Sequence, residues 1–93
     1  MVVELDVFSG RANPRWTVAS GDFWIFLDSL GPGSAPEPPG LGYRGFVCRD
    51  GARWCRVFHD RVDGSSGPRA DPLLEAERRL IATMPDEFRR LVG

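Results

Sequence analysis

Catalytic chemistry in this chain would have to be built from few parts. His59 is the only histidine and Asp60 follows it, Cys48 and Cys55 are the only cysteines, and Ser65 and Ser66 form the one serine pair. Nucleophilic catalysis needs a base within hydrogen-bond reach of the nucleophile and a third group to orient that base. Neighbours on a strand point to opposite faces, so His59 and Asp60 cannot make a dyad within one strand. No nucleophile-elbow or HExxH spacing occurs. One histidine and two cysteines in a single hairpin lack the usual zinc-ligand spacing, so no metal and no other cofactor is expected. The carboxylates are scattered rather than paired on an apolar wall, and no glycine-rich phosphate loop leads into a helix.

Recognition chemistry is better represented. In FSGRANPRW, residues 8–16, Ser9 and Gly10 bend the chain, Asn13 favours turns through its side chain, and the residue before Pro14 is pushed to extended geometry. Those needs do not account for Arg11, Arg15 and Trp16 together. Arginine beside tryptophan is the composition of an interface hot spot. Tyr43 and Arg44 add a similar pair further on, and Trp54 follows in a second hairpin. The candidate binding residues are therefore Arg11, Asn13, Trp16, Tyr43, Arg44 and Trp54. Interleaved arginines and aromatics also serve single-stranded RNA binders, but a formal net charge of −1 argues against nucleic acid.

The elements that must position these residues follow from the alternation and the breakers. Residues 2–8 alternate, with Val3, Leu5 and Val7 on one face and Glu4 and Asp6 on the other, and residues 16–19 read as the returning strand. Asp22 is a helix N-cap, and residues 23–30 read as a short helix with Phe23, Phe26, Leu27 and Leu30 on one stripe. Residues 31–42, rich in proline and glycine, read as an extended or mobile linker. Residues 43–49 and 54–62 form a second hairpin. Its turn is Asp50-Gly51 in a type I′ geometry, with Gly51-Ala52 in a type II′ turn as the alternative. Either register places Phe46, Cys48, Cys55 and Val57 on one face and Tyr43, Val47, Trp54, Arg56 and Phe58 on the other.

Residues 63–72 read as a loop closing on Asp71-Pro72, an N-cap followed by proline at the first helical position. Residues 73–84 are then a helix with Leu73, Leu80 and Met84 on its apolar side, and a final turn buries Phe88 and Leu91. The expected fold is α+β, ββα-linker-ββα: a four-stranded antiparallel sheet with two helices packed on one face.

Ninety-three residues make a single domain, 1–93, with one core. All twelve basic residues are arginine, which reads as the coding bias of a GC-rich bacterial genome. Two cysteines are too few for a disulfide scaffold, the N-terminus has no signal-peptide pattern, and FWIFL is too short to span a bilayer. A cytoplasmic protein with no membrane partner is expected.

The stretches DVFSGRANPRW, residues 6–16, and LGYRGF, residues 41–46, resemble those of a set of small uncharacterised microbial proteins with a DVFSGRPNPxW turn and a later LGYRGF strand. Ala12 stands where that pattern has proline, which leaves the turn less rigid. The resemblance implies a shared fold and supplies no activity.

The function expected from these observations is that of a small non-catalytic binding or accessory protein that recognises a peptide or partner enzyme through its sheet face or edge. The alternatives are a small enzyme holding an anionic substrate with Arg11, Tyr43 and Arg44 and using His59 as acid/base, or an immunity or antitoxin protein.

Overall fold

The alternating N-terminal run becomes a central strand rather than an edge. The computed structural model describes residues 1–91. Strand β1 (Val2–Leu5) pairs antiparallel on one side with β2 (Arg15–Thr17) and on the other with β3 (Phe46–Asp50). Val3 and Leu5 are fully buried, while Glu4 faces the opposite side. The second hairpin continues the sheet through β4 (Arg53–Phe58), β5 (Arg61–Gly64) and β6 (Arg69–Ala70), giving the order β2-β1-β3-β4-β5-β6, antiparallel throughout.

The α+β class and the antiparallel sheet agree with the sequence, but the sheet has six strands, not four. Two turns make the difference. His59 adopts a left-handed conformation at φ 53°, which no glycine announces in the sequence. The chain therefore reverses after Phe58, and β5 runs back along β4 with Val62 beside Val57. A second turn, closed by the Gly67 N–H donating to the Gly64 carbonyl at 3.0 Å, brings two more residues against β5 as β6. A two-residue strand has no alternation of its own; only the neighbouring ladder defines it. The hairpin between β3 and β4 also takes the alternative turn. Asp50 pairs with Arg53, so Gly51 and Ala52 are the loop residues, and only Gly51 needs positive φ, at 62°. Cys48 then faces Cys55 directly, and both are free buried thiols.

Three helices cover the inner face. Helix α1 (Gly21–Asp28) begins at Ser20 rather than Asp22 and buries Phe23, Trp24 and Leu27. Ile25 is exposed and Phe26 only half-buried, so the apolar stripe is narrower than its composition suggests. The tip of the second hairpin seats this helix: Ser20 Oγ and Trp24 Nε1 both donate to Asp50 Oδ2, at 2.7 and 3.1 Å. Helix α2 (Glu75–Thr83) starts later than the sequence implies. Asp71-Pro72 opens a turn, not the helix, and Leu73 is 73% exposed. Asp71 still caps: its buried carboxylate accepts from the Ala76 N–H at 2.7 Å. Ala76, Leu80 and Met84 join Phe46, Cys48, Cys55, Val57 and Val62 in one core. The short α3 (Asp86–Arg89) follows, leaving Phe88 and Leu91 half-buried against that core.

The linker, residues 31–42, is a strap. Pro32 bridges to Arg69, the Ala70 N–H donates to the Gly31 carbonyl at 3.0 Å, and the Gly33 N–H donates to the Pro68 carbonyl at 3.3 Å. These contacts cap the edge of β6. A Cβ at Gly33 would lie 2.5 Å from the Ala70 nitrogen, so only glycine fits there. The strap then crosses the outer face, where Pro36, Pro38 and Pro39 share a cleft with Trp54, Arg56 and Asp63. It is tied down by Arg61 Nη1 on the Ala35 carbonyl and Arg44 Nη1 on the Gly40 carbonyl, both at 3.3 Å.

These placements set different outcomes for two core substitutions. Leu80→Ala empties a fully buried site and is expected to cost roughly 2–5 kcal/mol in denaturant unfolding. Phe26, half-buried under the Arg79 guanidinium 4.4 Å from its ring centroid, is expected to cost about 1 kcal/mol on truncation to alanine. Equal costs would show that α1 buries a wider face than Phe23, Trp24 and Leu27. The Cys48 thiol is pushed far above its ordinary value by the Cys55 hydrogen bond and by burial. Both side chains are buried, so both cysteines are expected to resist alkylation in the folded protein and to react on unfolding.

Candidate functional site

The first turn is built by one side chain. Asn13 Oδ1 accepts from the backbone N–H of Val7 at 3.1 Å and of Phe8 at 2.8 Å, while its Nδ2 donates to Glu4 Oε2 at 2.9 Å and, more weakly, to Asp6 Oδ1 at 3.4 Å. Asparagine is the residue type that can accept and donate at once in this position. Pro14 is buried behind it, and its carbonyl accepts from the Leu5 N–H at 3.0 Å to begin the β1–β2 ladder.

Asp6 lies just beyond the end of β1, on the outer face, and is 7% exposed. Arg44 donates to its Oδ1 through Nη2 at 2.7 Å and Nε at 3.1 Å, and Arg56 Nη1 donates to Oδ2 at 2.8 Å. The same Arg56 nitrogen reaches the Arg44 carbonyl at 2.9 Å. Burial pushes the Asp6 carboxyl upward, but the hydrogen bonds and charges of Arg56 and Arg44 outweigh it, and the group stays below its ordinary value of 3.8. Gly45 lets the strands approach this closely: its φ is 90°, and a Cβ there would fall on the Val57 carbonyl. One pairing earlier, Glu4 holds Arg15 at 3.2 Å and Arg49 at 3.5 Å. The outer face thus carries acids on the central strand, with arginines reaching them from the flanking strands.

The structure divides the six sequence-derived residues. Asn13 and Arg44 meet at Asp6, and both are fully engaged there. Trp16 does not face outward: it pairs with Val3 on the inner side, packs on Phe46 and Phe88 at ring-centroid distances of 6.2 and 6.1 Å, and donates from Nε1 to Thr83 Oγ1 at 3.0 Å. Its task is to seat the α2–α3 junction. Tyr43 also leaves the outer face; it stacks near Phe46, Phe58 and His59 and donates to Glu77 Oε2 at 2.5 Å. Burial and the Glu77 carboxylate raise its phenol, which is thereby held protonated. Trp54 is 45% exposed on the outer face beside the strap. Arg11 is exposed at the tip of the turn, its guanidinium 3.7 Å from the Phe8 ring centroid.

His59 sits in the β4–β5 turn, its Nδ1 3.6 Å from Glu77 Oε2 and its backbone N–H donating to the same oxygen at 3.1 Å. Glu77 therefore gathers Tyr43 and His59. Among the described residues no group of three or more histidines, cysteines or carboxylates is placed to hold a metal ion.

Two clefts result. The one under the strap, about 430 Å³, sets Asp6 and Asp63 against Arg44 and Arg56, so its charges balance. The other, about 560 Å³, lies between the first turn and α3. Phe8, Pro14, Phe88 and Leu91 give it apolar walls, and Arg11 and Arg90 stand at it with Glu87 as the only acid. Neither guanidinium has an ion-pair or hydrogen-bond partner among the described residues. Sequence reasoning singled out Arg11 but missed Phe8, Phe88 and Arg90 as its neighbours. Nothing local links residue 11 to residue 90; the Trp16–Phe88 contact does.

The Asp6 network has a measurable signature. Because its folded value is lowered, Asp6 contributes stability that is full above the unfolded carboxylate's 3.8 and fades as pH falls from there through the lowered folded value. Asp6→Asn is expected to flatten that acid limb. At neutral pH it is expected to cost roughly 1.5–3 kcal/mol, because two partly exposed arginines trade a charged acceptor for a neutral one. Urea melts across pH 2–7 on both proteins test this, and an unchanged acid limb would show that other carboxylates set it.

In comparisons with known proteins, no family model, curated protein or solved structure matches the chain, and the reading of its surface rests on its own geometry.

Proposed function

We propose that this protein is a non-catalytic binding module that takes an extended peptide segment of a partner protein along the outer edge of β2. The observation that carries the reading is the contrast between the two ends of the sheet. At one end the strap caps β6 through Pro32 and Gly33. At the other, β2 has no strand beyond it among the described residues.

The ladder fixes which groups are open. Leu5 N–H donates to the Pro14 carbonyl and Val18 N–H to the Met1 carbonyl. By antiparallel alternation, the peptide groups of Arg15 and Thr17 then point away from β1. Trp16, clamped by Phe46, Phe88 and Thr83, holds this short edge rigid, and a preorganised edge loses little freedom when a strand is added. The outer face itself is a poorer surface. Its acids and arginines satisfy one another, and the strap crosses it.

Main-chain pairing to two residues supplies on the order of 2–6 kcal/mol, at about 0.5–1.5 kcal/mol for each hydrogen bond. Association costs roughly 4–15 kcal/mol. The edge therefore orients a peptide and needs a side-chain or terminal anchor beside it.

Proline at position 17 removes an outward N–H without taking a hydrogen bond from β1, and edge strands accept such a proline. With immobilised protein and a pool of random hexapeptides, Thr17→Pro is expected to reduce peptide retention at least about tenfold while the protein remains folded by circular dichroism. A pool from which nothing is retained, or retention indifferent to the substitution, sinks the reading.

A further inference from the structure

We infer that the cleft between the first turn and α3 is a carboxylate subsite that takes the C-terminal end of a peptide whose last side chain is apolar. The inference rests on the edge-strand reading and specifies its ligand.

Position comes first. The cleft is lined by Arg11, Pro14, Phe8, Phe88, Arg90 and Leu91, and Pro14 immediately precedes β2. It therefore lies at the N-terminal end of the open edge. Every pairing in the sheet is antiparallel, and a strand added antiparallel to β2 runs toward that end with its own C-terminus leading. An added peptide in this orientation delivers its terminal carboxylate to the cleft.

Charge comes second. Of the other ten arginines all but Arg78, on α2, are already engaged: Arg15 and Arg49 with Glu4, Arg44 and Arg56 with Asp6, Arg53 with Asp28, Arg79 with Glu75, Arg89 with Asp86, Arg61 with the Ala35 carbonyl and Arg69 with the Leu30 carbonyl. Arg11 and Arg90 are not engaged in this way among the described residues, and they line one cleft that contains a single acid, Glu87. Stacking on Phe8 holds the Arg11 guanidinium by its face, which leaves its N–H edge to donate. A planar fork of this kind matches a carboxylate.

Shape comes third. Phe88 and Leu91 are half-buried, so each leaves part of its apolar surface to the cleft beside the arginines. A ligand that fills it joins an anion to an apolar side chain, and the last residue of a peptide ending in leucine, isoleucine or phenylalanine has both.

The same hexapeptide pool, made once with free C-termini and once as C-terminal amides, tests the assignment. Mass spectrometry of the retained peptides is expected to show free acids ending in an apolar residue enriched about tenfold over the matching amides. Arg11→Ala and Arg90→Ala should each remove most of that advantage and leave retention of the amides unchanged, and Arg11→Lys should restore only part of it. Both alanine variants are expected to keep the wild-type melting temperature to within a few degrees, because exposed arginines contribute little to stability. Equal retention of acids and amides, with Thr17→Pro still abolishing both, overturns the carboxylate subsite and leaves the edge-strand reading intact. Retention of neither pool overturns both. An acid preference that survives both alanine variants places the carboxylate elsewhere and overturns the assignment of these arginines.

Discussion

The carboxylate of Asp6 ties together parts of the chain that are far apart in sequence. Arg44 and Arg56 meet on it, one from the entry to β3 and one from β4. Arg44 extends the tie to the strap through the Gly40 carbonyl, and Asn13 extends it to the first turn. A buried ion pair is weak evidence for stability, because desolvation offsets much of the attraction. Its consequence here is register. Shifting β1 by one residue against β3 would turn Val3 and Leu5 to the outer face, and shifting it by two would separate Asp6 from both arginines. The interaction disfavours every alignment but one.

With that alignment in place, the two faces of the sheet differ in kind. The inner face is apolar and takes three helices, with Asp50 seating α1 and Trp16 seating the α2–α3 junction. The outer face is a field of matched charges crossed by a proline-rich strap. One edge is capped by that strap, and the other is open and backed by a clamped tryptophan. An open edge is ordinarily a liability, and chains blunt it by keeping it short or charged. At three residues with Arg15 on it, β2 is both. Uncontrolled pairing is thus disfavoured.

Residues that read as one surface in the sequence serve separate tasks. Asn13, Trp16 and Tyr43 are structural: each satisfies a polar group or packs an aromatic neighbour that another segment supplies. Arg11 and Trp54 remain accessible, but on different parts of the molecule. The arginine-tryptophan composition of FSGRANPRW therefore has two explanations. The tryptophan secures a helix junction beneath β2, and Arg11 borders a cleft whose other wall comes from the end of the chain.

The α+β class and the inward facing of Phe46, Cys48, Cys55 and Val57 were legible in the sequence, as was a carboxylate at Asp71 ahead of α2, although the helix starts at Glu75 rather than at Pro72 and Tyr43 leaves the outer face. These follow from local chemistry: side-chain alternation of period two, turn residues with restricted backbone angles, and a short carboxylate ahead of a helix. The sequence also held the outer-face pattern of Glu4, Asp6 and Arg56, although not which acid meets which arginine. The six-strand order, the path of the strap and the neighbours of Arg11 emerge from long-range contacts. The left-handed turn at His59 has no glycine to mark it, and β6 exists only because β5 lies beside it. The strap is held by backbone groups and distant arginines that its proline-rich composition does not encode. Arg11 and Arg90 reach one cleft through a chain of packing contacts, Trp16 on Phe88, between residues that local patterning treats as independent. Long-range pairing of this kind is an energy of the assembled molecule, and no window of sequence contains both partners.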